Sequence, residues 1–264
     1  MLQKRILSAY SIISFLLIIG TVVLAEAADI VTFKGSDTTA AGTPLTLAGK
    51  LTKPQGDGPF PAVVLLHGCN GIMANRDDLW AERFASWGYV AFQVDSFGPR
   101  GLSSICEDLA LVFSIVAKRA LDAYDAKSYL AGLPFVDRNR IAVVGWSHGG
   151  GTTISVIAQK RNDPFRSAIA FYPYCGQPLV DLNAPLLILI GEKDGMHPAI
   201  SCSLRMPREQ TKPEVVLKIY PDSHHGFDAE GLDKYIMGIR LLSNPVAAAD
   251  AIIQVKAFLA RHLK

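Results

Sequence analysis

A serine flanked by glycines lies between a predicted strand and a predicted helix. It is Ser147, in the segment 145–149 (GWSHG), and it directly follows the apolar run 141–144. A strand that turns sharply into a helix holds the residue at the turn in a strained conformation, and small neighbours let the two elements approach while the hydroxyl projects. The pattern predicts Ser147 as a nucleophile. The alternative is a glycine-rich packing turn.

The acid that would support such a nucleophile must follow it in the chain. A serine hydroxyl needs a base, and the order in this arrangement is nucleophile, acid, histidine. Asp194 lies just beyond the apolar run 186–190 and is the predicted acid, because the chain can turn there. Glu192, closer to the strand end, is the alternative, and a solvated loop aspartate is another.

The base is predicted to be His225, in the loop after the apolar run 215–219. The preference over His224 comes from the glycine after His225, which leaves the backbone free to aim the ring, and from Phe227, which we expect to wall the pocket. His197 follows the acid too closely to reach the nucleophile. We expect a structural role for it.

An oxyanion formed during acyl transfer needs preorganised N–H donors, one after the nucleophile and one from a loop after an early core strand. That loop is 67–71 (HGCNG), so the backbone N–H groups of His148 and Cys69 are the predicted donors. His67 is a candidate core histidine. Cys69 as a nucleophile is disfavoured because no turn between strand and helix surrounds it.

Strands and helices alternate along the chain. Because parallel neighbours need long return connections, this order predicts an α/β fold with a parallel sheet, whose ligands bind at the carboxyl ends of the strands. No linker divides residues 28–264, so we predict one domain. The predicted strands are 30–33, 45–51, 62–66, 90–94, 141–144, 168–171, 186–190 and 215–219, and the helices are 77–87, 107–131, one from about 149, and 246–262.

Composition and charge restrict the class of protein. Half of the 264 residues are hydrophobic and 19% are charged, which provides a large core, and the net charge of +2 gives no basic stripe for nucleic acid. Residues 1–27 read as a signal peptide: two basic residues, the apolar stretch 6–24, and Ala-Glu-Ala before a cleavage site after Ala27. We therefore expect a secreted or periplasmic protein without stable membrane insertion. An uncleaved membrane anchor is the alternative.

Four cysteines follow the signal, an even number in a chain expected to enter an oxidising compartment. Cys175 and Cys202 should each lie just past a core strand on the same side of the sheet, which favours pairing them and leaves Cys69 with Cys106. Four buried thiols are the alternative. The spacings do not resemble a zinc site.

These segments together resemble the dienelactone hydrolase family. The resemblance covers nearly all of residues 28–264 and is carried by 67–71 (HGCNG), 95–101 (DSFGPRG), 145–150 (GWSHGG), 191–194 (GEKD) and 225–227 (HGF). It implies an α/β-hydrolase fold with an eight-stranded, mostly parallel sheet and helices on both faces. It also implies a nucleophile-Asp-His triad and hydrolysis of an ester or lactone without metal or cofactor.

Three positions depart from the enzymes that open dienelactone. Those enzymes have a cysteine where this chain has Ser147, a glutamate where it has Gly68, and a substrate-binding arginine where it has Ala229. We therefore expect a different ester as the substrate. Arg100 is a candidate for holding an anionic group at the mouth of the site, and pairing with a helix acid is the alternative.

The predicted activity is hydrolysis of a small-molecule ester or lactone through an acyl-enzyme on Ser147, with His225 as base and Asp194 orienting it. The same triad would serve a peptidase or acyltransferase. A noncatalytic exported binding protein on this scaffold is the alternative from another class. Neither the oligomeric state nor the acyl chain length follows from the sequence.

Overall fold

The computed structural model of the protein describes residues 28–39, 42–209 and 212–264. The predicted signal peptide, residues 1–27, lies outside the described residues, so its cleavage stays a prediction. Within the described ranges, no helix has the length and apolar character needed to cross a lipid bilayer.

Eight strands form one sheet in the order β1-β2-β4-β3-β5-β6-β7-β8. The first two pairings, β1 with β2 and β2 with β4, are antiparallel, and every later pairing is parallel. The predicted α/β class with a mostly parallel, eight-stranded sheet is therefore confirmed. The strands are β1 Asp29–Thr38, β2 Pro44–Thr52, β3 Phe60–Leu66, β4 Val90–Asp95, β5 Val136–Trp146, β6 Ala168–Phe171, β7 Leu186–Gly191 and β8 Val215–Tyr220.

The central strands are buried on both faces. Successive side chains of a strand point to opposite faces, yet every residue of β6 and β7 is buried, as are the last five residues of β3. Helices must therefore cover both sides of the sheet, as predicted. They are α1 Leu79–Ser86, α2 Leu109–Ser114, α3 Val116–Ala131, α4 His148–Ala158, α5 Ala199–Ser203 and α6 Pro245–His262.

The single helix predicted over 107–131 is two helices that meet at Ile115. The Asp108 side chain accepts a hydrogen bond from the N–H of Leu111 and begins α2 two residues later than expected. Ile115 is buried against Phe97, whereas α2 itself buries none of its residues. The interruption lets α2 leave the face of the sheet that α3 covers.

The first helix was predicted over 77–87, with Asp77 at its start, but α1 begins two residues later. Asp77 lies inside a π-helical turn, Ala74–Asp78, and α1 begins only at Leu79. Its buried carboxylate instead accepts hydrogen bonds from the N–H of Met73 and from Arg76. The Asp77 carboxylate therefore forms an ion pair with the buried guanidinium of Arg76.

A hairpin and two disulfides complete the edge of the fold where the parallel strands end. The hairpin, β9 Asp233–Ile236 and β10 Ile239–Leu242, was not predicted, and its turn holds Met237 and Gly238 at positive φ, as a two-residue turn requires. Disulfides join Cys69 to Cys106 and Cys175 to Cys202, which confirms the expected pairing. The second one anchors α5, because Cys202 belongs to that helix.

Candidate active site

Ser147 lies at the sharp turn between β5 and α4. Its φ of 54° and ψ of −115° form a strained conformation for a residue with a side chain. The turn needs glycine nearby, because a Cβ on Gly149 would lie 2.0 Å from the carbonyl oxygen of Leu66, and one on Gly145 would lie 2.1 Å from that of Gly149. The GWSHG spacing therefore has a steric cause, and it places Ser147 at the carboxyl end of the sheet, where it lines a pocket.

The structure brings Ser147, His225 and Asp194 into one hydrogen-bonded chain. His225 Nε2 lies 2.8 Å from Ser147 Oγ, and His225 Nδ1 lies 2.8 Å from Asp194 Oδ2. All three residues are buried. In the tautomer that satisfies both bonds, Nδ1 donates to the carboxylate and Nε2 accepts from the hydroxyl. This is the arrangement that a serine nucleophile requires.

Asp194 is held in place by backbone donors. Its Oδ1 atom accepts the N–H groups of Met196 and His197 at 2.9 and 2.8 Å, which leaves Oδ2 for the histidine. Glu192, the alternative acid, is exposed, and its carboxylate accepts the N–H of Asp222 instead. The tight turn after β7 explains why the third residue of the loop, and not the first, faces inward.

His225, and not His224, forms the bond to Ser147. Its ring lies between the ring of Tyr172, at 4.5 Å between centroids, and that of His197, at 5.1 Å. Phe227 was expected to wall the pocket, but it is fully buried beneath the site against Tyr172 and Tyr220, so that expectation is wrong.

His197 supports the site from the side. Its Nδ1 atom lies 2.8 Å from the carbonyl oxygen of Tyr172, a residue at positive φ. Burial, followed by the proximity of His225, lowers the pKa of His197 to about 4. A neutral imidazole therefore packs beside His225, and the structural role expected for His197 agrees with this contact.

The two predicted oxyanion donors lie on elements that a buried arginine links. Cys69 follows β3, His148 begins α4, and both line one pocket together with Ser147. Arg119, on α3 and fully buried, donates to the carbonyl oxygen of His67 at 2.7 Å and to Nδ1 of His148. Its side chain thus ties the start of the loop that carries Cys69 to the first residue of α4.

Burial lowers the pKa values of Arg119 and of the histidines around it. No carboxylate lies within ion-pair distance of its guanidinium among the described side chains, and burial lowers the pKa of Arg119 to about 9. Burial and the same guanidinium lower the pKa of His148 to about 3, so its Nδ1 is free to accept while Nε2 donates to the carbonyl oxygen of Val112. His67 is likewise buried, with its pKa well below the usual range.

A second buried polar group lies behind the nucleophile. Arg76 forms two hydrogen bonds with Asp77, at 3.0 and 2.9 Å, and its guanidinium stands near Gly68. The carboxylate of Asp228 accepts hydrogen bonds from neutral donors on three rings. They are Trp80 Nε1 at 2.8 Å, Trp146 Nε1 at 2.9 Å and the Tyr172 hydroxyl at 2.7 Å.

Arg100, the candidate for binding an anionic substrate group, is paired elsewhere. Its guanidinium donates twice to Asp122 of α3, at 2.8 and 2.9 Å, and once to Asp37 at 3.0 Å. It does not line either pocket at Ser147. These contacts match the alternative reading of the sequence, in which Arg100 pairs with an acidic residue on a helix.

Two pockets meet at Ser147. The large pocket, of about 570 Å³, is bordered by α2, α4 and the β9–β10 hairpin, and the small pocket, of about 20 Å³, is bordered by His225, Arg76 and Lys234. Among the described residues, no three His, Cys, Asp or Glu side chains are grouped so that they could hold a metal ion.

Several residues of the site were missed by sequence reasoning, and Arg119 is the one with a readable signal. The apolar positions of the predicted helix recur at Val112, Val116 and Ala123, and Arg119 falls on the same stripe, three residues after Val116. A charged residue on a buried helix face needs a partner, so it marks a polar site. Arg76 and Asp228 offered no comparable pattern.

A serine at a turn between strand and helix, joined to a histidine and an aspartate at the carboxyl ends of a mostly parallel sheet, is the architecture of the α/β-hydrolase class. Comparison with family models agrees: residues 47–263 match the dienelactone hydrolase family. The chain belongs to that family.

Individual relatives are distant. Esterase FrsA of Shigella boydii is 26% identical over 177 residues, which is 64% of this chain but 40% of that protein, so the chain spans two fifths of the length of this curated relative. A dienelactone hydrolase-like promiscuous phosphotriesterase from metagenomic libraries superposes with a TM-score of 0.72 at 16% identity, covering 90% of this chain and 100% of the other. An acylaminoacyl peptidase of Pyrococcus horikoshii gives 0.63 at 20% identity, covering 90% and 42%. These structural likenesses show the fold.

Proposed function

We propose that the protein is a serine hydrolase that cleaves a carboxylic ester or lactone through an acyl-enzyme intermediate. The observation that carries the proposal is the hydrogen-bonded chain from Ser147 through His225 to Asp194, with 2.8 Å at each link. Membership of the dienelactone hydrolase family supports the reaction class.

In the first half of the reaction, Ser147 Oγ attacks the ester carbonyl while His225 Nε2 takes the hydroxyl proton. Asp194 keeps the ring oriented and stabilises the imidazolium. The N–H groups of Cys69 and His148 receive the negative charge that develops on the carbonyl oxygen, helped by the N-terminus of α4. His225 then returns the proton to the departing alcohol, and the acyl group stays on Ser147.

In the second half, a water molecule takes the place of the alcohol. His225 accepts its proton as the oxygen attacks the acyl-enzyme, and the carboxylic acid leaves as the proton returns to Ser147 Oγ. Each half therefore moves one proton through one imidazole, and no redox partner or group-transfer cofactor is needed to balance either step.

Dienelactone itself is not the substrate that we propose. The nucleophile is Ser147 and not cysteine, and Gly68 and Ala229 replace the glutamate and arginine known from enzymes that open that lactone. Ala229 is fully buried, so its position offers no cation to a substrate. An ester without a required carboxylate fits these departures better.

We also propose that the protein is exported. Two disulfides support an oxidising compartment, since cytosolic reductants keep such pairs reduced. Sequencing the N-terminus of exported protein tests the predicted cleavage after Ala27, and an intact residue 1 on that protein would contradict it.

The nucleophile is tested with a fluorophosphonate probe and with esters offered beside peptide amides. We expect the probe to label the protein but not Ser147→Ala, whose ester hydrolysis should fall by at least about 10⁴-fold. Equal labelling of the two proteins would refute the nucleophile, and faster turnover of the peptides would make the protein a peptidase.

The base is tested with two neighbouring histidines. We expect His225→Ala to abolish ester hydrolysis, while the matched control His224→Ala retains it, because only the first ring contacts Ser147. The reverse outcome would exchange their roles.

A further inference from the structure

The large pocket is lined by apolar and uncharged groups. Of its described lining residues, none is Asp, Glu, Lys or Arg. The two histidines that line it, His148 and His197, are the pair whose pKa burial lowers to about 3 and about 4, so they are neutral near pH 7. Such a pocket rejects a charged ligand and accepts a hydrocarbon group.

The rim of this pocket exposes large apolar side chains on three separate elements. Leu109 and Phe113 of α2 are 56% and 61% exposed, Tyr174 after β6 is 53% exposed, and Met237 at the tip of the hairpin is 56% exposed. An exposed apolar cluster around a concave site marks a binding surface. Its continuity with Ser147 identifies the occupant as part of the substrate.

The position of His225 distinguishes the two ends of that substrate. The general acid must reach the leaving oxygen, so the alcohol leaves on the side of Ser147 where His225 stands. His225 borders the small pocket and not the large one, whereas His148, with its predicted oxyanion donor, borders the large one. The acyl group therefore extends away from His225.

We propose that the large pocket binds the apolar acyl chain of the ester and that the small pocket receives a short alcohol. The inference rests on the proposed function and adds the substrate class: short-alcohol esters of medium-chain or longer fatty acids. About 20 Å³ beside His225 holds little more than one water-sized group, whereas about 570 Å³ is within the range of pockets that enclose whole ligands.

Two series of esters test the assignment, with hydrolysis followed by titration of the released acid. One series is methyl acetate, butanoate, hexanoate and octanoate, and the other is methyl, butyl, hexyl and octyl acetate. We expect kcat/KM to rise by about twofold to fourfold for each methylene added to the acyl chain, the upper value corresponding to full burial. We expect no rise along the alcohol series.

A variant at the rim tests whether the large pocket causes the dependence of kcat/KM on acyl chain length. Phe113→Asp places a charge where the acyl chain would pass, on a helix that buries nothing, so we expect the ratio of octanoate to acetate kcat/KM to fall at least about tenfold. Ile253→Asp is the matched control, because Ile253 is 64% exposed on α6 and does not line the pocket. It should leave the ratio unchanged.

The outcomes separate this inference from the proposed function. A rise along the alcohol series, or no rise along either, overturns the acyl assignment while ester hydrolysis and labelling of Ser147 persist. An unchanged ratio in Phe113→Asp also overturns it. A protein that hydrolyses none of the esters and leaves Ser147 unlabelled overturns both.

Discussion

Replacement of Arg119 by methionine should lower activity with little change in stability. Arg119 donates to the carbonyl oxygen of His67, two residues before the proposed oxyanion donor Cys69, and to the ring of His148, which carries the other proposed donor. Without it, the start of the loop after β3 and the start of α4 lose their common anchor. Loss of one oxyanion donor costs about 10²- to 10³-fold in kcat, and we expect a tenfold to hundredfold loss from misplacing donors that remain present.

The expected stability effect follows from two opposing terms. Burial lowers the pKa of Arg119 from 12.5 to about 9, which corresponds to a cost on the order of 5 kcal/mol for keeping the cation in the fold. Methionine removes that cost but leaves two buried acceptors without a donor, at about 1 to 3 kcal/mol each. The two unsatisfied acceptors together cost about 2 to 6 kcal/mol, which is comparable to the cost removed, so the free energy of unfolding should change by less than about 3 kcal/mol.

Arg100→Met is the matched control, since it removes a second arginine, which pairs with Asp122 of α3. Arg100 pairs with Asp122, which is fully buried, so its loss leaves a buried carboxylate unpaired. Breaking such a pair typically costs about 3 to 5 kcal/mol. We expect this variant to lose stability while the kcat of its folded fraction is nearly unchanged.

Urea unfolding and initial rates on one ester, measured for both variants, test the pair of expectations. A loss of about 3 to 5 kcal/mol in Arg119→Met with kcat retained would contradict the positioning role and make Arg119 a structural residue only. Slower fluorophosphonate labelling of Arg119→Met at unchanged ester KM would support the positioning role, since the phosphonate also develops charge on oxygen.

Three further outcomes follow from the structure. His148 and His197 have pKa values of about 3 and about 4 in the folded protein against 6.5 in the unfolded chain, so the unfolded chain binds more protons as the pH falls. The free energy of unfolding should therefore fall by about 2 kcal/mol per histidine between about pH 7 and pH 5. A free energy of unfolding, measured with urea, that does not change with pH would contradict this. Cys175 and Cys202 close a loop with a sequence separation of 27, which restricts the unfolded chain. Replacing both by serine should lower the free energy of unfolding by about 3 to 4 kcal/mol through the entropy that the unfolded chain regains. An unchanged urea midpoint would contradict this. Gly149→Ala should lower the thermal midpoint far more than Gly151→Ala. The added Cβ would lie 2.0 Å from a backbone oxygen in the first variant and no nearer than 3.7 Å to any atom in the second. Equal shifts would show that α4 can move away from β3.

The fold and the candidate triad were largely readable from the sequence because both rest on local patterns. Continuous apolar runs predicted the buried strands. The glycines around Ser147 form a short local motif, although only Gly145 reflects a contact within the turn itself, and Gly149 reflects the close approach of α4 to Leu66 of β3. The helix break at Ile115 was not readable, because its cause is packing of Ile115 against Phe97, a residue 18 positions earlier in sequence. The β9–β10 hairpin is short and half-exposed, so its pattern was too weak to predict.

The environment of the site was less predictable because its polar partners are distant in the chain and mostly backbone or ring groups. Arg119 reaches carbonyl and imidazole acceptors 52 and 29 residues away, and no complementary charge in the sequence signals either contact. Burial, and then repulsion by Arg119, lower the pKa values of His67 and His148 and keep both rings neutral. A protonated His148 ring could not accept the hydrogen bond from Arg119.

Acid should therefore affect this part of the site through unfolding and not through titration within the fold. Because the pKa of His148 is about 3 in the folded protein, its contact with Arg119 should persist in the folded protein down to about pH 4. Any activity lost through these buried histidines should follow the folded fraction measured by circular dichroism at each pH. If their contribution to activity disappeared above about pH 4 while the protein was still folded, the rings would be titrating in place, and Arg119 would not be a cation held by neutral acceptors.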